Sequence, residues 1–113
     1  EPLMSGNTWK LFDWFNEQES DMRFAINSNL IAKDDIIDKL IAKSHGMKHF
    51  EVYTSCEATG DQAEYIRDGL VYDQWLENTK RLLLEGNTKG VHIMMTINSL
   101  CLFTITDFLD EVY

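Results

Sequence analysis

His49-Phe50-Glu51-Val52-Tyr53-Thr54-Ser55-Cys56-Glu57-Ala58-Thr59-Gly60 is the stretch that decides the fold. Its first half is rich in β-formers and its second half is small and polar, the pattern of a strand that empties into a strand-to-helix loop. Before it, Asp34 or Asp35 starts a helix whose Ile36, Ile37, Leu40 and Ile41 recur at helical period. Gly46 stands where a left-handed C-terminal cap is wanted, so that helix should end near His45. Further back, Met22, Phe24 and Ile26 are apolar at every second position, which predicts a short strand ending in the loop 27–33. Asn7 can cap a helix over 7–19 with Trp9, Leu11, Phe12, Trp14 and Phe15 on its aromatic face.

Downstream of the central stretch, residues 61–67 can make a helical turn that Gly69 breaks. Asp73 then caps a longer helix with Trp75, Leu76, Thr79, Leu82 and Leu83 on its inner side, stopping at Gly86-Asn87. Gly90-Val91-His92-Ile93-Met94-Met95-Thr96-Ile97 is a nearly continuous apolar run, the look of a strand covered on both faces. A last helix is expected over 100–113. Strands thus alternate with helices, and each interval is long enough for the right-handed crossover that parallel pairing demands. The class is α/β, one domain over 1–113. Three strands leave at least one open sheet edge, which another part of the chain or a second copy should cover.

The composition narrows the partners. Of 113 residues, 44% are hydrophobic and 26% charged, enough for one compact core. With 19 acidic against 10 basic residues, the net charge of -9 should repel phosphate backbones and anionic headgroups, so nucleic acid and membrane surfaces are not expected partners. Cys56 and Cys101 stand alone in their neighbourhoods, a pattern that suits free thiols in a reducing cytoplasm. No stretch reaches the roughly 18 apolar residues of a membrane span, and the opening Glu1-Pro2-Leu3-Met4 lacks a charged leader. A start on Glu-Pro is the expectation of a piece cut from a larger unit.

In parallel α/β architectures, ligands bind at the carboxyl ends of the strands, where loops gather and helix N-termini present unpaired N–H groups. That rule selects Glu1-Pro2, Asn27-Ser28-Asn29, Ser55-Cys56-Glu57 and Asn98-Ser99. The plainer alternative is that they are ordinary loop residues and caps. His45 and His49 have the spacing of a helical zinc pair, but Gly46 interrupts the helix between them, and solvated histidines at a helix end are the better reading. His92 reads as a core or edge histidine. The acids Glu17, Glu19, Asp21, Asp34, Asp35, Asp38, Glu57, Asp61 and Glu64 read mainly as solubilising charge, and Trp9, Phe12, Trp14 and Phe15 as core and interface aromatics.

These residues carry a resemblance. Glu-Pro-Leu before a helix, Ile-Asn-Ser-Asn-Leu after a strand, and Ser-Cys-Glu-Ala followed by Ala-Glu-Tyr-Ile-Arg-Asp-Gly-Leu resemble the central barrel of radical S-adenosylmethionine proteins, in the twitch or SPASM-like branch, along essentially the whole chain. The resemblance implies a partial (β/α) barrel of the radical SAM type with S-adenosylmethionine as ligand. The family's Gly-Gly-Glu-Pro motif, of which Glu1 and Pro2 are present, holds the methionyl amino group, so Glu1 is the implied amino ligand. Ser55 and Arg67 match the family's contacts to the carboxylate and ribose, and Asn27 and Asn98 fall near the ribose, adenine or substrate. For Arg67 the alternative is a surface salt bridge with Glu64 or Asp68.

One departure bears on activity. The family holds a [4Fe–4S] cluster on three thiolates of a Cys-x3-Cys-x2-Cys loop, and that loop is missing here. The resemblance therefore implies a parent protein that carries the cluster ligands elsewhere, partners in the rest of its barrel, and a peptide as possible substrate. The competing expectation is a cluster-free α/β domain that binds a partner or metabolite without redox chemistry.

Overall fold

The structure, a computed structural model, describes all of residues 1–113. Pro2 seeds a single 3-10 turn, Pro2–Met4, because its fixed φ suits a first helical position. Five helices and three strands follow: α1 (Gly6–Gln18), β1 (Phe24–Asn27), α2 (Asp34–Ser44), β2 (Phe50–Ser55), α3 (Gly60–Ile66), α4 (Tyr72–Glu85), β3 (Gly90–Met94) and α5 (Ile105–Val112). The class is α/β. No helix is long and apolar enough to cross a membrane.

The sheet has the order β1-β2-β3, and both pairings are parallel. Ile26 lies opposite Val52, and Val52 opposite Val91. Since side chains alternate across a strand, this register gathers Phe24, Ile26, Phe50, Val52, Thr54, Val91 and Ile93 on one face. Phe50, Val52 and Thr54 are fully buried there. The helices cover that face. Phe12 of α1 meets Phe24 and Phe50 edge-on at 5.0 and 5.3 Å, and Trp75 of α4 donates its Nε1–H to the Thr54 hydroxyl at 2.9 Å. Ile37 and Leu40 of α2 and Phe108 of α5 complete the core. Ala25, Asn27, Glu51, Tyr53, Ser55, His92 and Met94 point to the opposite face, where none of them is buried.

Several expectations need correcting. The apolar run 90–97 is not covered on both faces: β3 ends at Met94 and is an edge strand, with His92 and Met94 exposed. A continuous apolar run marks a central strand only if sheet order places it there. Met22 lies outside β1 and is exposed. The last helix begins at Ile105, because Asn98 folds the preceding residues into turns, its Oδ1 accepting from Leu100 N at 2.9 Å. Asn7 and Asp73 lie inside their helices; the caps are Ser5 and Val71, while Lys33 caps α2. Helix α2 does begin at Asp34; Asp34, Asp35 and Asp73 sit in first turns, where the helix dipole favours negative charge. Gly46 is not left-handed. Its role is close approach, since a Cβ there would come within 2.6 Å of the Asn16 carboxamide.

Candidate functional site at the carboxyl ends of β1 and β2

Parallel pairing sends the carboxyl ends of all three strands to one edge of the sheet, so the loops after them share a neighbourhood. At this edge a recess of about 180 Å³ is lined by Asn27, Asn29, Ser55, Arg67, Asp68 and Leu70. Asn27 ends β1 and Ser55 ends β2, both on the face that the helices leave open. Arg67 arrives from the far side. It follows α3 in extended conformation, and Gly69, at φ +80, turns the chain so that the buried Leu70 anchors it. A side chain with a Cβ would be strained at that φ.

Glu1 stands beside this recess without lining it. Its Oε1 accepts from the Ser28 hydroxyl at 2.6 Å and from Leu3 N at 3.3 Å, and its Oε2 accepts from Asn29 N at 3.1 Å. The loop that Glu1 grips is itself braced. Ser28 Oγ accepts from Leu30 N at 3.0 Å, and Asn29 Oδ1 from Ile31 N at 3.0 Å. Leu30 adopts φ 56, unusual for a branched side chain, and the buried Asn78 of α4 holds it by donating to the carbonyls of Leu30 and Ala32 at 2.8 and 3.2 Å.

Arg67 makes its ion pair with neither Glu64 nor Asp68. Its Nε donates to Glu57 Oε2 at 2.6 Å, and the Glu57 side chain is only 3% exposed. Glu64 is engaged elsewhere, accepting from Tyr72 N at 2.8 Å at the start of α4. Glu57 is therefore not solubilising charge. An acid flanked by Cys56 and Ala58, both fully buried, is the signal that sequence reasoning passed over. Asn29, Asp68 and Leu70 also line the recess and were not singled out individually.

The recess gathers Asn27, Ser55 and Arg67, with Glu1 joined to it through Asn29. Asn98 stays apart. Its Nδ2 donates to Thr96 O at 3.0 Å and its Oδ1 closes the turn onto Leu100, so its polar atoms serve the loop after β3. His92 lies on the open face with its ring stacked on Tyr53 at 4.7 Å, and His45 donates from Nε2 to the Glu85 carbonyl at 2.9 Å.

Chemically, the recess offers a guanidinium, a hydroxyl, two carboxamides and the Asp68 carboxylate, a set able to hold a zwitterionic or hydroxyl-bearing ligand. Its volume is below the roughly 300 Å³ at which small-molecule pockets usually begin, so it fits one end of such a ligand. An iron–sulfur cluster does not fit these residues. Cys56 and Cys101 are separately buried free thiols, and no group of three or more His, Cys, Asp or Glu side chains is placed to hold a metal ion. Burial, foremost, pushes the Cys56 thiol up from its ordinary range, which makes it a poor thiolate. Comparison with protein families, with curated proteins and with solved structures finds no match in any of the three.

Proposed function

We propose that residues 1–113 are the S-adenosylmethionine-binding section of a radical S-adenosylmethionine enzyme, forming part of its (β/α) barrel. The observation that carries this reading is the convergence of Asn27, Ser55 and Arg67 on one recess at the carboxyl ends of two adjacent parallel strands. A sheet with sequential strand order and helices on one face only is also the layering of a barrel segment, whose open face becomes the interior when further strands close it. In this reading Arg67 and Ser55 hold the methionyl carboxylate and ribose, Asn27 a ribose or adenine edge, and Glu1 the amino group. Asn98 takes a share only if its turn opens, because its side chain is occupied within its own loop.

Enzymes of this class cleave S-adenosylmethionine reductively at a [4Fe–4S] cluster, in this branch to modify a peptide or protein. Residues 1–113 contribute binding and orientation, and the cluster ligands belong to other parts of the parent protein. Its remaining barrel strands are the natural partner for the open edge of β3, and a homodimer through that edge is the substitute when they are absent. The acidic surface argues against nucleic acid or membrane partners, and the two unpaired thiols suit a reducing cytoplasm. A second reading is a cluster-free α/β domain that binds a partner or metabolite without redox chemistry.

Isothermal titration of the chain with S-adenosylmethionine tests the proposal. Arg67→Ala should weaken binding about tenfold to a hundredfold, the usual worth of hydrogen bonds to a charged group. A folded wild-type chain that binds no better than Arg67→Ala defeats it. The parent protein, reconstituted with iron and sulfide, separates the two readings: the cluster's visible absorption supports the first, and its absence favours the second.

A further inference from the structure

We infer that Glu57 is a positioning residue: the buried carboxylate, 2.6 Å from Arg67 Nε, holds the guanidinium so that its outer nitrogens face the recess and select a ligand carboxylate. The ligand's identity rests on the S-adenosylmethionine reading, whereas the geometry of the pair does not.

A carboxylate as buried as Glu57 is costly unless paired, and Arg67 is the only cation within 4.0 Å of it. The pair is engaged through Nε alone. A guanidinium carries five N–H donors in a rigid fork, so fixing it at Nε leaves the four donors on its terminal nitrogens in a set direction. The arginine side chain is 30% exposed, and Arg67 lines the recess together with Ser55 and Asn27. The nearer acids do not compete for it. Glu64 is spent on Tyr72 N, and Asp68 has no ion pair.

Charge points to a ligand class. Glu57 already neutralises Arg67, and the protein carries -9 overall, so the recess has little long-range attraction for a multiply charged phosphate. What remains is directional: two parallel N–H donors suit a planar, singly charged carboxylate.

The test has two arms on the 113-residue chain. In the free protein, nitrogen-15 NMR should show the Arg67 Nε–H, assigned by its loss in Arg67→Lys, exchanging slowly and losing that protection in Glu57→Gln while the paired Arg81 Nε–H is unchanged; Arg67 Nε–H exchanging at the rate of the exposed Arg23 overturns the pairing. In the second arm, S-adenosylmethionine and its decarboxylated analogue are titrated into wild type and Glu57→Gln. Wild type should prefer the carboxylate compound, and Glu57→Gln should shrink that preference about tenfold, as loss of an orienting partner commonly does. A merely structural Glu57 would weaken both compounds equally or neither, and that result sinks the inference while leaving the binding reading intact. If the paired signal is present but neither compound binds, the binding reading fails and the ligand role of Glu57 falls with it. Arg67→Lys, which keeps the charge opposite Glu57 but lacks the fork, reads the same ratio if Glu57→Gln does not fold.

Discussion

Truncating Asn78 to alanine should unlatch the loop that Glu1 and Asn29 share. Asn78 is almost fully buried, and its carboxamide is the only hydrogen-bond donor to the Leu30 carbonyl; it also donates to Ala32 O, which Gln74 supplements at 3.0 Å. Losing two such bonds removes about 1 kcal/mol each, and stranding the buried Leu30 carbonyl adds about 1–3 kcal/mol. The expected destabilisation is therefore about 3–5 kcal/mol, a large share of the roughly 5–15 kcal/mol that holds a domain folded. Asn78→Asp should be at least as harmful, because it turns a carboxylate toward two carbonyl oxygens. Urea unfolding followed by circular dichroism gives the free energy. Hydrogen exchange at Asn29 and Leu30 reports the loop, since their N–H groups bond Glu1 and Ser28 only while the left-handed turn at Leu30 persists. An Asn78→Ala chain that loses less than about 1 kcal/mol would refute the claim that α4 braces this loop.

Two further perturbations probe the core behind the recess. Thr54→Val keeps the shape of a fully buried side chain but removes the acceptor for Trp75 Nε1, so it should cost about 1–3 kcal/mol, and a chemical-denaturation midpoint equal to wild type would count against that bond. Burial, then the hydrogen bond to Glu111, raises the Tyr72 hydroxyl above its ordinary range. The folded state thus holds this proton more tightly than the unfolded chain does, and the stability it contributes is present below the unfolded value of about 10 and lost as pH climbs above it. Tyr72→Phe should flatten the alkaline fall in urea midpoint, and parallel curves for the two proteins would contradict the assignment.

The order of strands and helices was legible locally. Phe24 and Ile26, the β-formers of 50–54, and the helical spacing of Ile37, Leu40 and Ile41 or Trp75, Thr79 and Leu82 each encode a period that backbone geometry converts directly into an element. The small polar ends after β1 and β2 were legible too, because parallel pairing fixes which strand ends carry loops. Element ends were less so. Asn7, Asp73 and Gly46 have capping chemistry, yet the caps fall elsewhere, since packing rather than side-chain bonding decides where these helices begin.

Sequence by itself determined the α/β class and put Asn27 and Ser55 at the carboxyl ends of strands, because periodicity and loop chemistry are properties of a few adjacent residues. Tertiary structure alone decided that β3 is an edge strand, that Asn98 turns inward on its own loop, and that Arg67 passes over Glu64 and Asp68 for the buried Glu57. Those outcomes depend on which surfaces are desolvated together. A carboxylate that loses its water must find a cation, and no local pattern records which one folding will bring within reach.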